Sequence, residues 1–158
     1  MSEDAERQNI LAEIATAFAM PRPAWFVNAK HCCECAEHEA ELQAETVESL
    51  RRDVMGDGAW DPVAFISNPD GFKYFMPALA RLAYGTGPDF HLTSFLAYLR
   101  ADRIESFTDR QRAAVEALLV HLSLSLAGEL RDDDYLDLEW ALRRVRGEPG
   151  PCSYAGSA

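Results

Sequence analysis

The chain has 158 residues, of which 48% are hydrophobic and 26% are charged, as in an ordinary globular protein. A chain of this length is expected to form one domain whose core needs no disulfide staples. The formal net charge is −11, from 26 acidic and 15 basic residues. Such a surface repels phosphate backbones, so sequence-independent binding to nucleic acid is not expected.

The same composition bears on where the protein is expected to reside. No apolar run reaches the roughly 18 residues of a membrane-spanning helix, so no membrane insertion is expected. The first residues, Met1 to Asp4, lack the basic and apolar regions of a signal peptide. We therefore expect a cytoplasmic protein, in which thiols are kept reduced. The sequence leaves open whether the protein has a protein partner or forms a homo-oligomer.

The first half of the chain predicts two helices. Apolar residues recur at helical spacing over residues 3–20, and Pro21 and Pro23 then end the helix. The connection Trp25–Val27 is expected to insert into the core. A second helix is predicted from the helix formers at residues 37–45, and its apolar pattern continues until the glycines at 56 and 58. The acidic residues between Glu37 and Glu48 are expected to form a solvated face, and whether it docks a partner is open.

The second half predicts further helices at about residues 68–84, 90–99, 108–126 and 132–146. The clearest start signal is Thr108 with Gln111, a capping box in which each side chain bonds the other residue's backbone amide. No alternation typical of strands is present. The prediction is an all-α fold, a single-domain helical bundle of about five to seven helices over residues 1–147. Residues 148–158 are expected to form a flexible C-terminal tail.

One stretch concentrates side chains that are capable of chemistry. Residues 31–38 read HCCECAEH and contain three of the four cysteines and two of the four histidines. In a reducing compartment, such a cluster indicates metal binding or redox activity before it indicates a structural disulfide. Helical spacing makes Cys35 the centre of the cluster, since His31 and Cys32 precede it by one turn and His38 follows it by one turn.

The first interpretation of the cluster is a zinc site with His31, Cys32, Cys35 and His38 as candidate ligands. Zinc prefers four tetrahedral ligands, and a C-x-x-C pair with histidines commonly supplies them. The two histidines would be about 10.5 Å apart along a regular helix, so one ion is expected to use only one of them. The predicted set is then Cys32, Cys35 and one histidine, with Cys152 or His121 as a remote fourth ligand.

The second interpretation is thiol redox chemistry. Here Cys32 would act as nucleophile, Cys35 as resolving thiol, and His38 or His31 as proton acceptor. The arrangement resembles the C-x-x-C-x-x-x-H of alkylhydroperoxidase-D-like proteins, although the histidine comes one residue early. Thioredoxin-like proteins are excluded, because their C-x-x-C follows a β-strand that this chain does not show.

A third interpretation requires no chemistry at all. Free cysteine is among the most buried residue types, so the cluster can also be simple packing. His91 and His121 lie on apolar helices and are expected at the edge of the core. Because no complete catalytic constellation is present, we expect a non-catalytic binding or regulatory protein rather than an enzyme. Its Cys/His cluster would be structural or would hold a zinc ion.

Three segments together carry a family resemblance. They are Ala17–Phe18 leading through the prolines to His31–Cys35, then Ser67–Ala78, and then Phe107–Val115. Their order and spacing resemble a family of small bacterial proteins known only as a domain of unknown function. The resemblance covers roughly residues 5 to 125. It implies a compact helical protein in which His31, Cys32, Glu34 and Cys35 belong together, and it implies no substrate.

Overall fold

Residues 2–55 and 60–149 are described by a computed structural model. They contain helices and no strands, so the predicted all-α class is confirmed. The seven α-helices are α1 (Glu3–Ala17), α2 (Cys33–Gln43), α3 (Pro69–Ala83), α4 (Leu92–Tyr98), α5 (Ala101–Glu105), α6 (Asp109–Ser125) and α7 (Asp132–Arg146). A single-turn 3-10 helix, Gly87–Asp89, links α3 to α4.

The core is built around α3, whose apolar side chains are buried along most of its length. Helices α1 and α4 pack against α3, α6 packs against α1, and α7 covers α6, α4 and α5. The largest fully buried side chains include Phe26, Phe72, Phe75 and Phe95. None of the helices in the described part of the chain has the length and apolarity that a membrane crossing requires.

Local signals placed several helix ends correctly. Asn68 caps α3 by accepting a hydrogen bond from the amide of Asp70, and Pro69 occupies the first helical position. The capping box of Thr108 and Gln111 is formed in full at the start of α6. Helix α7 ends at Arg146 and is capped by Gly147, whose φ of +71° is the left-handed conformation that favours glycine. The predicted flexible tail lies outside the described residues from position 150 onward.

The prediction that the second helix continues toward residue 55 is wrong. Helix α2 ends at Gln43, and residues 47–49 and 52–55 form turns. Arg22 donates hydrogen bonds to the carbonyls of Leu42, Gln43 and Glu45, which stabilises the end of the helix. Thr46 and Ser49 then exchange side chain–backbone hydrogen bonds of 2.7 and 3.2 Å, which compete with helical pairing.

The connection between α1 and α2 enters the core only in part. Phe26 and Val27 are buried, as expected, but Trp25 is 45% exposed, so the expectation for Trp25 is wrong. The acidic face of α2 was expected to be solvated, but one of its carboxylates is bonded to the backbone. The Glu39 carboxylate accepts hydrogen bonds from the amides of Phe26 and Val27 at 2.8 and 2.6 Å. Glu39 therefore fastens α2 to this connection.

Candidate functional site

Three side chains of the cluster converge at the start of α2. The ligand atoms of His31, Cys32 and Cys35 all lie within 4.8 Å of one another, and we call these residues the Cys/His group. Cys32 Sγ is 3.3 Å from Cys35 Sγ, and Cys35 Sγ is 3.4 Å from His31 Nδ1. Cys35 is thus the centre of the group, as its spacing predicted.

The local backbone explains why these side chains converge. Cys32 is the N-cap residue of α2, and its sulfur accepts a hydrogen bond of 3.4 Å from the amide of Cys35. An N-cap residue has an extended backbone, so the helix begins inside the cluster rather than before it. His31 therefore lies outside the helix and reaches Cys35 without occupying a helical position.

The two thiols of the group have different environments. Cys32 is exposed, and the amide of Cys35, the neighbouring thiol and His31 together lower the pKa of Cys32. Cys35 is buried, and hydrogen bonding to Cys32 together with desolvation raises the pKa of Cys35. The solvent-facing sulfur is therefore the one that carries negative charge more readily.

The distances in the group are close to those between ligands of one zinc ion. Zn–S bonds of about 2.3 Å and Zn–N bonds of about 2.0 Å in a tetrahedron separate two sulfurs by about 3.8 Å and a sulfur from a nitrogen by about 3.5 Å. The corresponding separations in the group are 3.3 and 3.4 Å. The third pair of ligand atoms also lies within 4.8 Å, so the group could hold a metal.

His38 is not part of this group, although it is the histidine that follows Cys35 by one turn. Its ring is fully buried between the rings of Phe65 and Trp60, at centroid distances of 4.2 and 4.4 Å. Neither ring nitrogen has a hydrogen-bond partner among the described residues. The carboxylates of Glu34 and Glu41 approach the two nitrogens at 3.8 and 3.6 Å.

The other residues considered for the site lie elsewhere. Cys33 is exposed and lies outside the Cys/His group, and Cys152 lies outside the described residues. His121 is buried, and its Nδ1 lies 2.9 Å from the hydroxyl of Tyr84. Burial raises the pKa of Tyr84 to about 12, so its hydroxyl stays protonated and can donate to the histidine. His121 is therefore a satisfied core histidine rather than a fourth ligand.

Sequence reasoning missed a second polar cluster, which we call the buried network: Asp61, His91, Tyr98 and Arg103. The Tyr98 hydroxyl donates to Asp61 Oδ2, and His91 Nε2 lies 3.3 Å from the same hydroxyl. Because that hydroxyl has one proton, His91 must donate to it through Nε2–H. Desolvation raises the pKa of Asp61 and of Tyr98 and lowers the pKa of His91 to about 4.

Arg103, which lies on α5, is the fourth residue of the buried network. It is 4% exposed, and its guanidinium donates to the carbonyls of Tyr98, Val63, Ala64 and Ile66. Desolvation lowers the pKa of Arg103 to about 10, so the side chain is still charged at neutral pH. These carbonyls are separated from Arg103 by 5 to 40 residues along the chain, so no short motif could have revealed the network.

Comparison with known proteins does not assign a function to this site. No family model matches this chain, and neither a curated protein nor a solved structure is significantly similar to it. The resemblance to a bacterial domain of unknown function therefore stays a prediction.

Proposed function

We propose that this protein is a small cytoplasmic binding or regulatory module that holds one zinc ion through His31, Cys32 and Cys35. The observation that carries the proposal is the convergence of three ligand atoms within 4.8 Å at the start of one helix. Two thiolates and an imidazole form a donor set that suits zinc better than magnesium or calcium, which prefer oxygen ligands. The role that we propose for the group is binding rather than catalysis.

The arrangement supplies three ligands and leaves the fourth position of a tetrahedron open. His31 and Cys32 are exposed, so a fourth ligand could approach the group from solvent. A water molecule, Cys152 or a side chain from a partner protein could complete the coordination. Of these, a partner's side chain would make zinc binding and partner binding cooperative, which suits a regulatory module.

The test is elemental analysis of protein that has been purified in reductant and without added metal. We expect close to one zinc per chain in the wild type and less than a tenth of that in Cys35→Ser, because Cys35 contacts both other ligands. Cys33→Ser is the matched control, since it removes a neighbouring exposed thiol that lies outside the group. It should retain the full zinc content.

A further variant tests the choice of histidine. His31→Gln should lose zinc, whereas His38→Gln should keep it, because His38 is packed between two aromatic rings and lies outside the group. Absence of metal from the wild type, or equal zinc in Cys33→Ser and Cys35→Ser, would contradict the proposal. Circular dichroism of each variant establishes that lost zinc does not reflect a lost fold.

The asymmetry of the two thiols favours dithiol redox chemistry as the second candidate function. The exposed Cys32 sulfur lies 3.3 Å from the buried Cys35 sulfur, which is the placement of an attacking and a resolving thiol. With a hydroperoxide as oxidant, the Cys32 thiolate would attack the distal oxygen and break the O–O bond, which leaves a sulfenic acid and an alcohol. Cys35 would then attack that sulfur and release water, so that two thiols are oxidised and one peroxide is reduced.

Thiol titration before and after mild peroxide distinguishes this function from zinc binding. The redox function requires the loss of two thiols per chain and a Cys32–Cys35 disulfide in peptide mapping, in metal-free wild type and in Cys33→Ser alike. Cys35→Ser should instead stop at the sulfenic acid, which a dimedone probe detects. Thiols that stay unreactive in metal-free protein would rule this function out.

A further inference from the structure

A cleft of about 670 Å³ lies beside the connection between α1 and α2. Its apolar walls come from Trp25, Val27 and Ala29, and its polar lining includes Lys30 and Ser67. The volume is within the range of about 300–1,000 Å³ that is typical of small-molecule sites. Trp25 is one of the few large hydrophobic side chains that the described part of the protein exposes, and it lines the cleft.

The walls of the cleft are held by hydrogen bonds to elements on both sides. Glu39 of α2 accepts from the amides of Phe26 and Val27. The amide of Asn28 donates to Ser67 Oγ at 3.1 Å, and the side chain of Asn68 donates to the carbonyl of Trp25 at 2.7 Å. Because these bonds fix the backbone before any ligand arrives, binding would cost little ordering of the chain.

The unused polar groups around the cleft are hydrogen-bond donors. The indole N–H of Trp25, the hydroxyl of Ser67 and the ammonium of Lys30 have no acceptor among the described residues. The one carboxylate of the lining, Glu39, is already occupied by two amides and by the side chain of Gln43. The cleft therefore offers side-chain donors to a ligand, and one of them, the ammonium of Lys30, is positively charged.

Lys30 is exposed and differs in its contacts from the other lysine of the chain. The protein has two lysines, and the other one, Lys73, pairs with Asp70 at 3.8 Å. Lys30 has no ion-pair partner in the part of the chain that the structure describes, although the protein carries a formal net charge of −11. A lysine in the lining of a cleft with apolar walls suits an anionic ligand with an apolar body.

We propose that this cleft binds a flat aromatic carboxylate. The aromatic body would stack on the ring of Trp25 and contact Val27 and Ala29, and the carboxylate would pair with Lys30 and accept from Ser67. The inference goes beyond the zinc proposal and does not depend on it, since none of these contacts involves a metal. It does place the ligand next to the Cys/His group, because Lys30 directly precedes His31.

The test uses 2-naphthoate as the probe and measures its affinity for the full-length protein by isothermal titration calorimetry. We expect saturable binding at one site. Lys30→Met should weaken binding at least tenfold, and Trp25→Leu should do the same, since each removes one half of the recognition. Lys73→Met is the matched control because it removes the same charge from a lysine that is already paired, and it should bind within twofold of the wild type.

A neutral analogue isolates the role of charge. 2-Naphthamide should bind the wild type at least tenfold more weakly than 2-naphthoate and should bind Lys30→Met and wild type alike. The proposal is overturned if 2-naphthoate shows no saturable binding at 2 mM, or if Lys30→Met and Lys73→Met bind it equally. Lys30→Met and Trp25→Leu should both keep the wild-type circular dichroism spectrum. The zinc content of each variant is measured in parallel, so that an effect of lost metal is distinguished from an effect on the cleft.

Discussion

The Cys/His group and the buried network are both clusters of polar side chains, but they are assembled in opposite ways. The Cys/His group comes from five consecutive positions, and two of its three residues are exposed. The buried network joins Asp61, α4 and α5, and none of its residues is more than 9% exposed. One cluster is open to ions and reagents, and the other is closed by the fold around it.

This contrast teaches what each cluster is expected to do. In the buried network most polar atoms are paired with one another or with backbone carbonyls, so its residues contribute to the stability and uniqueness of the fold. In the Cys/His group the acceptor and donor atoms mainly face one another and solvent, so the group contributes little to folding unless an ion binds. Stability measurements can therefore separate the two clusters.

The largest effect is expected for Arg103→Met. The substitution removes the Arg103 donor from the carbonyls of Tyr98, Ala64 and Ile66. The carbonyl of Val63 loses the same donor but keeps its hydrogen bond from the amide of Ile66. Buried acceptors without partners cost about 1–3 kcal/mol each before relaxation, so the free energy of unfolding should fall by about 3 kcal/mol or more. Urea denaturation measures this change.

Arg100→Met is the control for this prediction. Arg100 pairs with Asp102 at the surface, where its side chain is 49% exposed, and such ion pairs contribute about 0–1 kcal/mol. Equal losses for Arg100→Met and Arg103→Met would show that the buried network does not stabilise the fold as described.

The next effect concerns pH and His91. Its pKa is about 4 in the folded protein, compared with an ordinary value of 6.5, because of desolvation and the nearby charge of Arg52. The unfolded chain therefore binds more protons than the folded one between these values, and the free energy of unfolding falls as the pH drops from 6.5 toward 4. The loss from this residue approaches about 3 kcal/mol, at about 1.4 kcal/mol per pKa unit.

A comparison of the wild type with His91→Gln separates the contribution of His91 to this pH dependence from the contributions of the other titratable groups. The raised pKa of Asp61 acts in the opposite direction, since its folded carboxyl takes up a proton at higher pH than the unfolded one. Urea denaturation at pH 7, 5.5 and 4 should show a smaller acid loss in His91→Gln than in the wild type. The measurements use metal-free protein, and a His91→Gln profile that follows the wild type would contradict the assignment.

The smallest effect is expected in the Cys/His group of metal-free protein. Cys35→Ser should lower the free energy of unfolding by about 1 kcal/mol, since a buried thiol is replaced by a more polar hydroxyl of similar size. Cys33→Ser should leave it unchanged. A loss of several kcal/mol in metal-free Cys35→Ser, measured by urea denaturation, would show that this cysteine is mainly a packing residue and would remove the contrast with the buried network.

Much of the fold could be predicted from the sequence because its signals are local. Asn68 with Pro69, and Thr108 with Gln111, mark helix starts within a few residues, and both caps are present in the structure. The end of α2 could not be predicted in this way. It depends on Arg22, which donates to the last carbonyls of the helix from about 20 residues away along the chain.

In the candidate site, too, the local signals could be predicted and the contacts from distant segments could not. The spacing was sufficient to predict that Cys32 and Cys35 converge with one flanking histidine, and the structure places His31 there. For His38 the spacing was equally suitable, but Trp60 and Phe65 come from a later segment and enclose its ring. The buried network depends entirely on contacts between segments that are distant in the sequence, since Asp61 and Tyr98 meet only after the chain has folded.

The two hydrogen bonds from Glu39 to the connection between α1 and α2 have a thermodynamic consequence. Glu39 lies one turn after Cys35 on α2, and its carboxylate holds Phe26 and Val27 beside the cleft. An ion at the start of α2 and an anion in the cleft would then act on one connected piece of backbone. If the bound ion changes the affinity for the anion by some factor, the bound anion must change the affinity for the ion by the same factor, since such linkage is reciprocal.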